Sequence, residues 1–194
     1  LFEAEHRSTT VRVIYGPSQT PRSQIEQGAP VDIFLPSLFE EIDQLEAKGL
    51  IIQGTKRAFA ATSLVLITGT TLPAPISSIQ DLQTTPIRRI AVGDPKTSSV
   101  GKVAAQFLKF SKLEPKLKSQ YILGEHSRAV LDLVAKGEAE IGVVYRTDAI
   151  SNSGVRILDT APVGSHTPVR YGVAAAWTAQ NISAAGDFIE FLLS

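Results

Sequence analysis

Two hydrophobic rhythms alternate along the chain. Short β-branched or aromatic runs give way to stretches in which apolar residues return every three to four positions. The first run is VRVIYG, Val11 to Gly16, closed by Gly-Pro. Ser18 to Gln27 follows with helix-compatible residues and stops at Gly28, a residue suited to a helix C-cap. VDIFLP, Val31 to Pro36, is a second strand ended by its proline. Ser37 then reads as the cap of a helix whose Leu38, Ile42 and Leu45 share one face before Gly49. AFAATSLVLIT, Ala58 to Thr68, is long for a single strand, long enough to run from one lobe into another.

A Thr/Pro/Ser stretch, GTTLPAPISS, makes the clearest composition shift. IRRIAVGDP, Ile87 to Pro95, is strand then turn, and the helix after it places Val100, Val103, Ala104, Phe107 and Leu108 on one face. SQYILG is a short strand, Glu125 to Lys136 a helix, and EIGVVYRTDAI a buried strand running into another helix. VRILDTAP and VRYGVAAAW, Val169 to Trp177, are further strands, and the last helix begins near Ser183. Alternating strands and helices predict an α/β fold. The long strands near 58–68 and 169–177 bracket the middle of the chain, which fits either one doubly wound sheet or two lobes joined by two crossovers.

Composition narrows the function. Of 194 residues, 43% are hydrophobic and 20% charged, which is ordinary for a globular protein. Nineteen basic and 19 acidic side chains leave a formal net charge of +0. With no basic run, this excludes a nucleic-acid binder that relies on bulk positive charge. No stretch reaches the roughly 18 apolar residues of a membrane span. Zero Cys removes disulfides, thiolate metal sites and Cys nucleophiles together. The opening LFEAEHRSTT reads like the end of a helix already under way, and the closing AAGDFIEFLLS like an uncapped helix. The expectation is a piece of a longer product, with any targeting signal already absent.

The motifs of catalysis are missing. GDPKTSSVGKV has seven residues between Gly93 and Gly101, and Val103 follows Lys102, so it is not a phosphate-binding P-loop. No G-x-G-x-x-G follows a strand. His6, His126 and His166 lack metal-site spacing and read as surface or hydrogen-bonded residues. Ser18 follows a strand without the G-x-S-x-G elbow of a hydrolase. Glu40-Glu41 reads as a solvated helix face, and Asn181-Ile182-Ser183 as a weak glycosylation match.

Four turns remain. They are Tyr15 to Thr20, Gly93 to Val100, Gly124 to Ser127, and Val144 to Thr147, each placed after a predicted strand and rich in small or hydroxyl residues. Free N–H groups and the positive end of the helix dipole make such places anion sites, although every helix also needs a cap. In open α/β sheets they gather at the carboxyl ends of the strands.

The phrases SQIEQGAPVDIFLPS, SLVLIT, RRIAVGDPKTSSVGK, SRAVLDLVAKGEAEIGVVYRTDAI and YGVAAAW, in this order along nearly the whole chain, resemble the periplasmic molybdate-binding proteins of bacterial ABC importers. The resemblance implies a type II periplasmic-binding-protein fold. Each of its two α/β lobes would be a mixed sheet flanked by helices, joined by two crossover strands, with a tetrahedral oxyanion between them. The lobes would be 1–62 with 170–194, incomplete at both termini, and 63–169. It implies no enzymatic activity and no cofactor, only the ligand molybdate or tungstate, with no metal held directly by side chains. The partners would be ABC permease subunits. The protein would be a monomer that binds no nucleic acid, and it would lie in the periplasm or at the outer face of a membrane.

Carried over residue by residue, the family's ligand donors fall on Ser18 through its hydroxyl and N–H, on the backbone of Val100 and Ser127, and on the Tyr145 hydroxyl. These are the four turns already singled out. Two departures follow from the same resemblance. A further serine ligand and its strand would lie upstream of Leu1, and a last helix and strand would follow Ser194. Pro17 and Gln19 also replace the family's run of serines around Ser18. The alternatives are a binder of another tetrahedral oxyanion such as sulfate, a sensory or effector-binding domain, and an enzyme using Asp94 with Arg128 or Arg146.

Overall fold

The computed structural model describes residues 1–71 and 76–194, so the Thr/Pro/Ser stretch falls partly outside the described residues. Leu1–Ala61 and Arg170–Ser194 form one compact unit, and Thr62–Val169 form a second. The described residues are mixed α/β, with one sheet of three strands and one of five. Among the described residues no helix is long and apolar enough to cross a membrane.

The chain begins with a one-turn helix α1 (Phe2–Glu5), then α2 (Gln19–Glu26), β1 (Ile33–Phe34), α3 (Glu40–Glu46) and β2 (Arg57–Thr62). Gly28 ends α2 in the left-handed region (φ 82), where it carries no Cβ penalty. Ile25 of α2 and Ile42 and Leu45 of α3 bury their apolar face with Phe34 and Ile51.

Three sequence expectations fail in this part. VRVIYG forms no strand: Val13, Ile14 and Tyr15 are 56%, 71% and 89% exposed. A β-prone run needs a neighbour for its N–H and C=O groups, and no described strand pairs with it. The cap position of α3 is Phe39, not Ser37. Glu41 is fully buried instead of solvated, and it accepts a 2.7 Å bond from the Arg22 guanidinium. Its position, three after Leu38 and four before Leu45, puts it on the apolar face.

The long run 58–68 breaks at Ser63, which separates β2 from β3 (Leu64–Gly69), a strand buried at every residue. After it come β4 (Ile90–Gly93), α4 (Ser99–Phe110), α5 (Glu114–Leu117), β5 (Tyr121–Gly124), α6 (Ser127–Ala135), β6 (Ile141–Tyr145), α7 (Arg146–Ile150) and β7 (Val155–Thr160). The sheet order is β5-β4-β6-β3-β7. β4 runs parallel to β5 and β6, while β3 is antiparallel to β6 and β7. Parallel neighbours require crossovers, supplied by α4 between β4 and β5 and by α6 between β5 and β6. Ala91 packs with Val130, Leu131 and Val134 of α6, whereas Val92 shares a cavity wall with Ala105 and Leu108 of α4. Adjacent strand residues face opposite ways, so the two helices cover opposite faces.

The chain returns to the first unit through β8 (Val169–Ala175) and α8 (Ile182–Leu193). β8 lies between β1 and β2, antiparallel to β1 with Phe34 opposite Ala174. The Asn181 side chain, part of the glycosylation match, accepts from the Ala184 amide (3.1 Å) and caps α8. Val173 and Ala175 pack on Ala185 and Ile189 of this helix.

Candidate functional site

Register fixes where the second unit's turns emerge. Gly93 pairs with Gly124 at the ends of β4 and β5, and Ile90 pairs with Ile141 of β6. The three parallel strands therefore finish on one edge. Val100, Ser127 and Tyr145 stand on the segments that leave it, the edge where ligands bind in open α/β sheets.

The helix α4 starts tight against the end of β4. A Cβ on Gly93 would meet the Gly101 nitrogen at 2.5 Å, and a Cβ on Gly101 would meet the Asp94 carbonyl carbon at 2.4 Å. Only glycine at both positions lets the helix mouth sit this close to the strand. Ser98 caps the helix from extended backbone (φ −125), and its Oγ accepts from the Gly101 amide (3.2 Å) and donates to the Asp94 carbonyl (3.0 Å). Lys102 donates to the Ser98 carbonyl (3.1 Å). The Ser99 and Val100 amides find no acceptor among the described residues. Both residues are buried.

The second turn is built differently. His126 caps α6, its Nδ1 accepting from the Ala129 amide (3.1 Å), which leaves the ring proton on Nε2. Val130 donates to the His126 carbonyl (3.1 Å), while the Ser127 amide has no acceptor among the described residues. The Ser127 Oγ accepts from the Tyr145 amide (3.1 Å), so two of the candidate residues are bonded to each other across α6 and β6. Tyr145 is 4% exposed and opens α7.

Ser18 belongs to the first unit, at the cap position of α2, half-buried, in helical backbone (φ −54, ψ −28), and its side chain makes no capping bond. The strand expected before it is the one that does not form.

The sequence reading missed three features of these turns: the Gly93–Gly101 contact, the capping role of Ser98, and a buried Ser99 hydroxyl. Their residues lie within the turn already marked, and a glycine before and after a hydroxyl-rich helix start was the available signal. The same turn borders a cavity of about 440 Å³ also lined by Leu108, Tyr121 and Leu123. Burial, then the nearby Glu114 carboxylate, pushes the Tyr121 phenol up to about 12. Among the described residues no cluster of His, Asp and Glu is placed to hold a metal ion.

Comparison with known proteins identifies the family. The family described as bacterial extracellular solute-binding protein matches residues 1–194. The molybdate-binding protein ModA of Haemophilus influenzae is 30% identical over 183 residues, covering 93% of this chain and 72% of that protein. A substrate-binding domain assigned to a molybdenum ABC transporter of Clostridium difficile superposes with a TM-score of 0.76 at 31% identity, over 100% of this chain and 85% of that one. The periplasmic molybdate-binding protein of Azotobacter vinelandii shares the fold, with a TM-score of 0.85 at 20% identity over 98% and 84% of the two chains. The chain belongs to the bacterial extracellular solute-binding proteins, a family of binders and not of enzymes.

Proposed function

We propose that this protein captures molybdate or tungstate outside the cytoplasm and delivers it to the permease of an ABC importer. The observation that carries the reading is the pair of helix mouths, α4 and α6, with amides at Val100 and Ser127 that no described acceptor claims, at the ends of three parallel strands. The 30% identity to a molybdate-binding protein supports the choice of anion, and the domain assigned to a molybdenum ABC transporter supports the choice of partner.

In this reading the donors are the Val100 and Ser127 N–H groups, the Tyr145 hydroxyl, and the Ser18 hydroxyl and N–H. Molybdate and tungstate are tetrahedral dianions whose oxygens only accept at neutral pH. Neutral donors at helix starts replace the ion's water, each charge-assisted bond contributing about 1.5–3 kcal/mol. Hydrogen phosphate brings a proton that such a set is not built to accept. Sulfate carries the same charge in a smaller shell, so size discriminates it.

Calorimetric titration tests this. Tyr145→Phe and Ser18→Ala should each weaken molybdate binding by about tenfold or more, with melting temperature held. Unchanged affinity in both variants contradicts the donor assignment. Tight binding of sulfate in place of molybdate contradicts the choice of anion.

A further inference from the structure

At the mouth of α4, two neighbouring serines behave differently. Ser98 is 2% exposed and its hydroxyl is saturated, donating to Asp94 and accepting from Gly101. Ser99 is 4% exposed and its Oγ is buried with no hydrogen-bond partner among the described residues. A buried hydroxyl without a partner costs free energy, and native proteins seldom carry one idle. Every Cα–Cβ bond of a helix leans toward its N-terminus. Ser99 is the first residue of α4, so its side chain leans toward the open end where the Ser99 and Val100 amides lack acceptors.

We infer that the Ser99 hydroxyl is an additional donor to the bound oxyanion, acting beside the Val100 amide. This rests on the oxyanion reading above and deepens it. Ser98 closes the helix and Ser99 completes the ligand shell, so the helix mouth offers two amides and one hydroxyl to the same ion. An acceptor-only dianion is the chemistry that suits them, since it satisfies all three donors at once. Without the ion, the Ser99 hydroxyl is the group left wanting.

The inference makes two predictions of opposite sign for one substitution. In Ser99→Ala the ligand-free protein loses only an unsatisfied polar group, so its melting temperature should hold or rise. Its affinity for molybdate should fall by about tenfold or more. Ser98→Ala should do the reverse, lowering the ligand-free melting temperature through loss of the cap while affinity changes less than in Ser99→Ala. The experiment is titration of the full chain and both variants with sodium molybdate in buffer free of sulfate and phosphate, alongside thermal unfolding without ligand. Wild-type binding with unchanged affinity in Ser99→Ala overturns the inference alone and assigns the hydroxyl to ordered water. A lowered ligand-free melting temperature in Ser99→Ala also overturns it, because the hydroxyl then has a structural partner. A wild-type chain that binds no molybdate overturns the oxyanion reading, and this inference falls with it.

Discussion

In the second unit, β3 and β6 are buried at every residue, and each has a strand on both sides. In the first unit, β2 is mostly exposed and residues 11–16, with an equally β-rich composition, make no strand. The local patterns are alike; the supply of partners differs. A strand is a relation between segments, and β propensity expresses fit to a pleated, half-buried surface more than a property of the run itself. The helix starts follow the same contrast. Those of α4 and α6 are wedged against neighbouring strands, whereas Ser18 opens α2 after a segment that pairs with no described strand.

The sharpest way to break this comparison is one methyl group in each unit. Gly101→Ala places a Cβ 2.4 Å from the Asp94 carbonyl carbon, where backbone cannot yield, and should cost about 3 kcal/mol in urea unfolding. Gly16→Ala meets nothing within 4 Å and should change stability by less than about 0.5 kcal/mol. Equal effects would show that α4 is not held against β4 as described.

Much of the second unit was legible because a continuous apolar run buried on both faces, followed by a 3.6-residue stripe, has few readings other than strand and crossover helix. IAVGDP followed by Val100, Val103 and Phe107 is such a case. The failures have physical causes. The sequence does not show whether any segment pairs with residues 11–16, so composition alone suggested a strand. Charge hid Glu41, although its helical spacing pointed inward and Arg22 supplies the countercharge. The turns of the candidate site were visible as hydroxyl-rich helix starts. Which hydroxyl caps and which stays unclaimed depends on backbone angles that residue type does not encode: Ser98 is extended and caps, while Ser99 is already helical.

Within the first unit, the Arg22–Glu41 pair sharpens the point that partners decide. Glu41→Ala leaves Arg22, whose side chain is 22% exposed, without its buried countercharge and should cost about 2 kcal/mol by denaturant unfolding. A change near zero would mean that Arg22 turns freely to solvent.

A smaller effect belongs to the second unit's edge. Burial pushes the Glu140 carboxyl up, but the Arg88 amide and guanidinium and the Arg89 amide together hold it below its ordinary value of 4.5. Because the ionised form is favoured by folding, its contribution is present above that value and disappears as pH falls through the lower folded value. Arg88 is largely exposed, so the effect should stay below about 1 kcal/mol. Glu140→Gln should therefore be less stable than wild type at neutral pH, with the gap narrowing below about pH 4. A gap independent of pH would contradict the assignment.

The central claim is that the mouths of α4 and α6 hold the anion through backbone amides. Amide resonances recorded during titration of ¹⁵N-labelled protein with molybdate test it directly. The account predicts the largest, saturable shifts at Val100 and Ser127, with the Gly101 amide moving less because the Ser98 hydroxyl already occupies it. Saturable shifts confined to other residues, with Val100 and Ser127 unmoved, would contradict it.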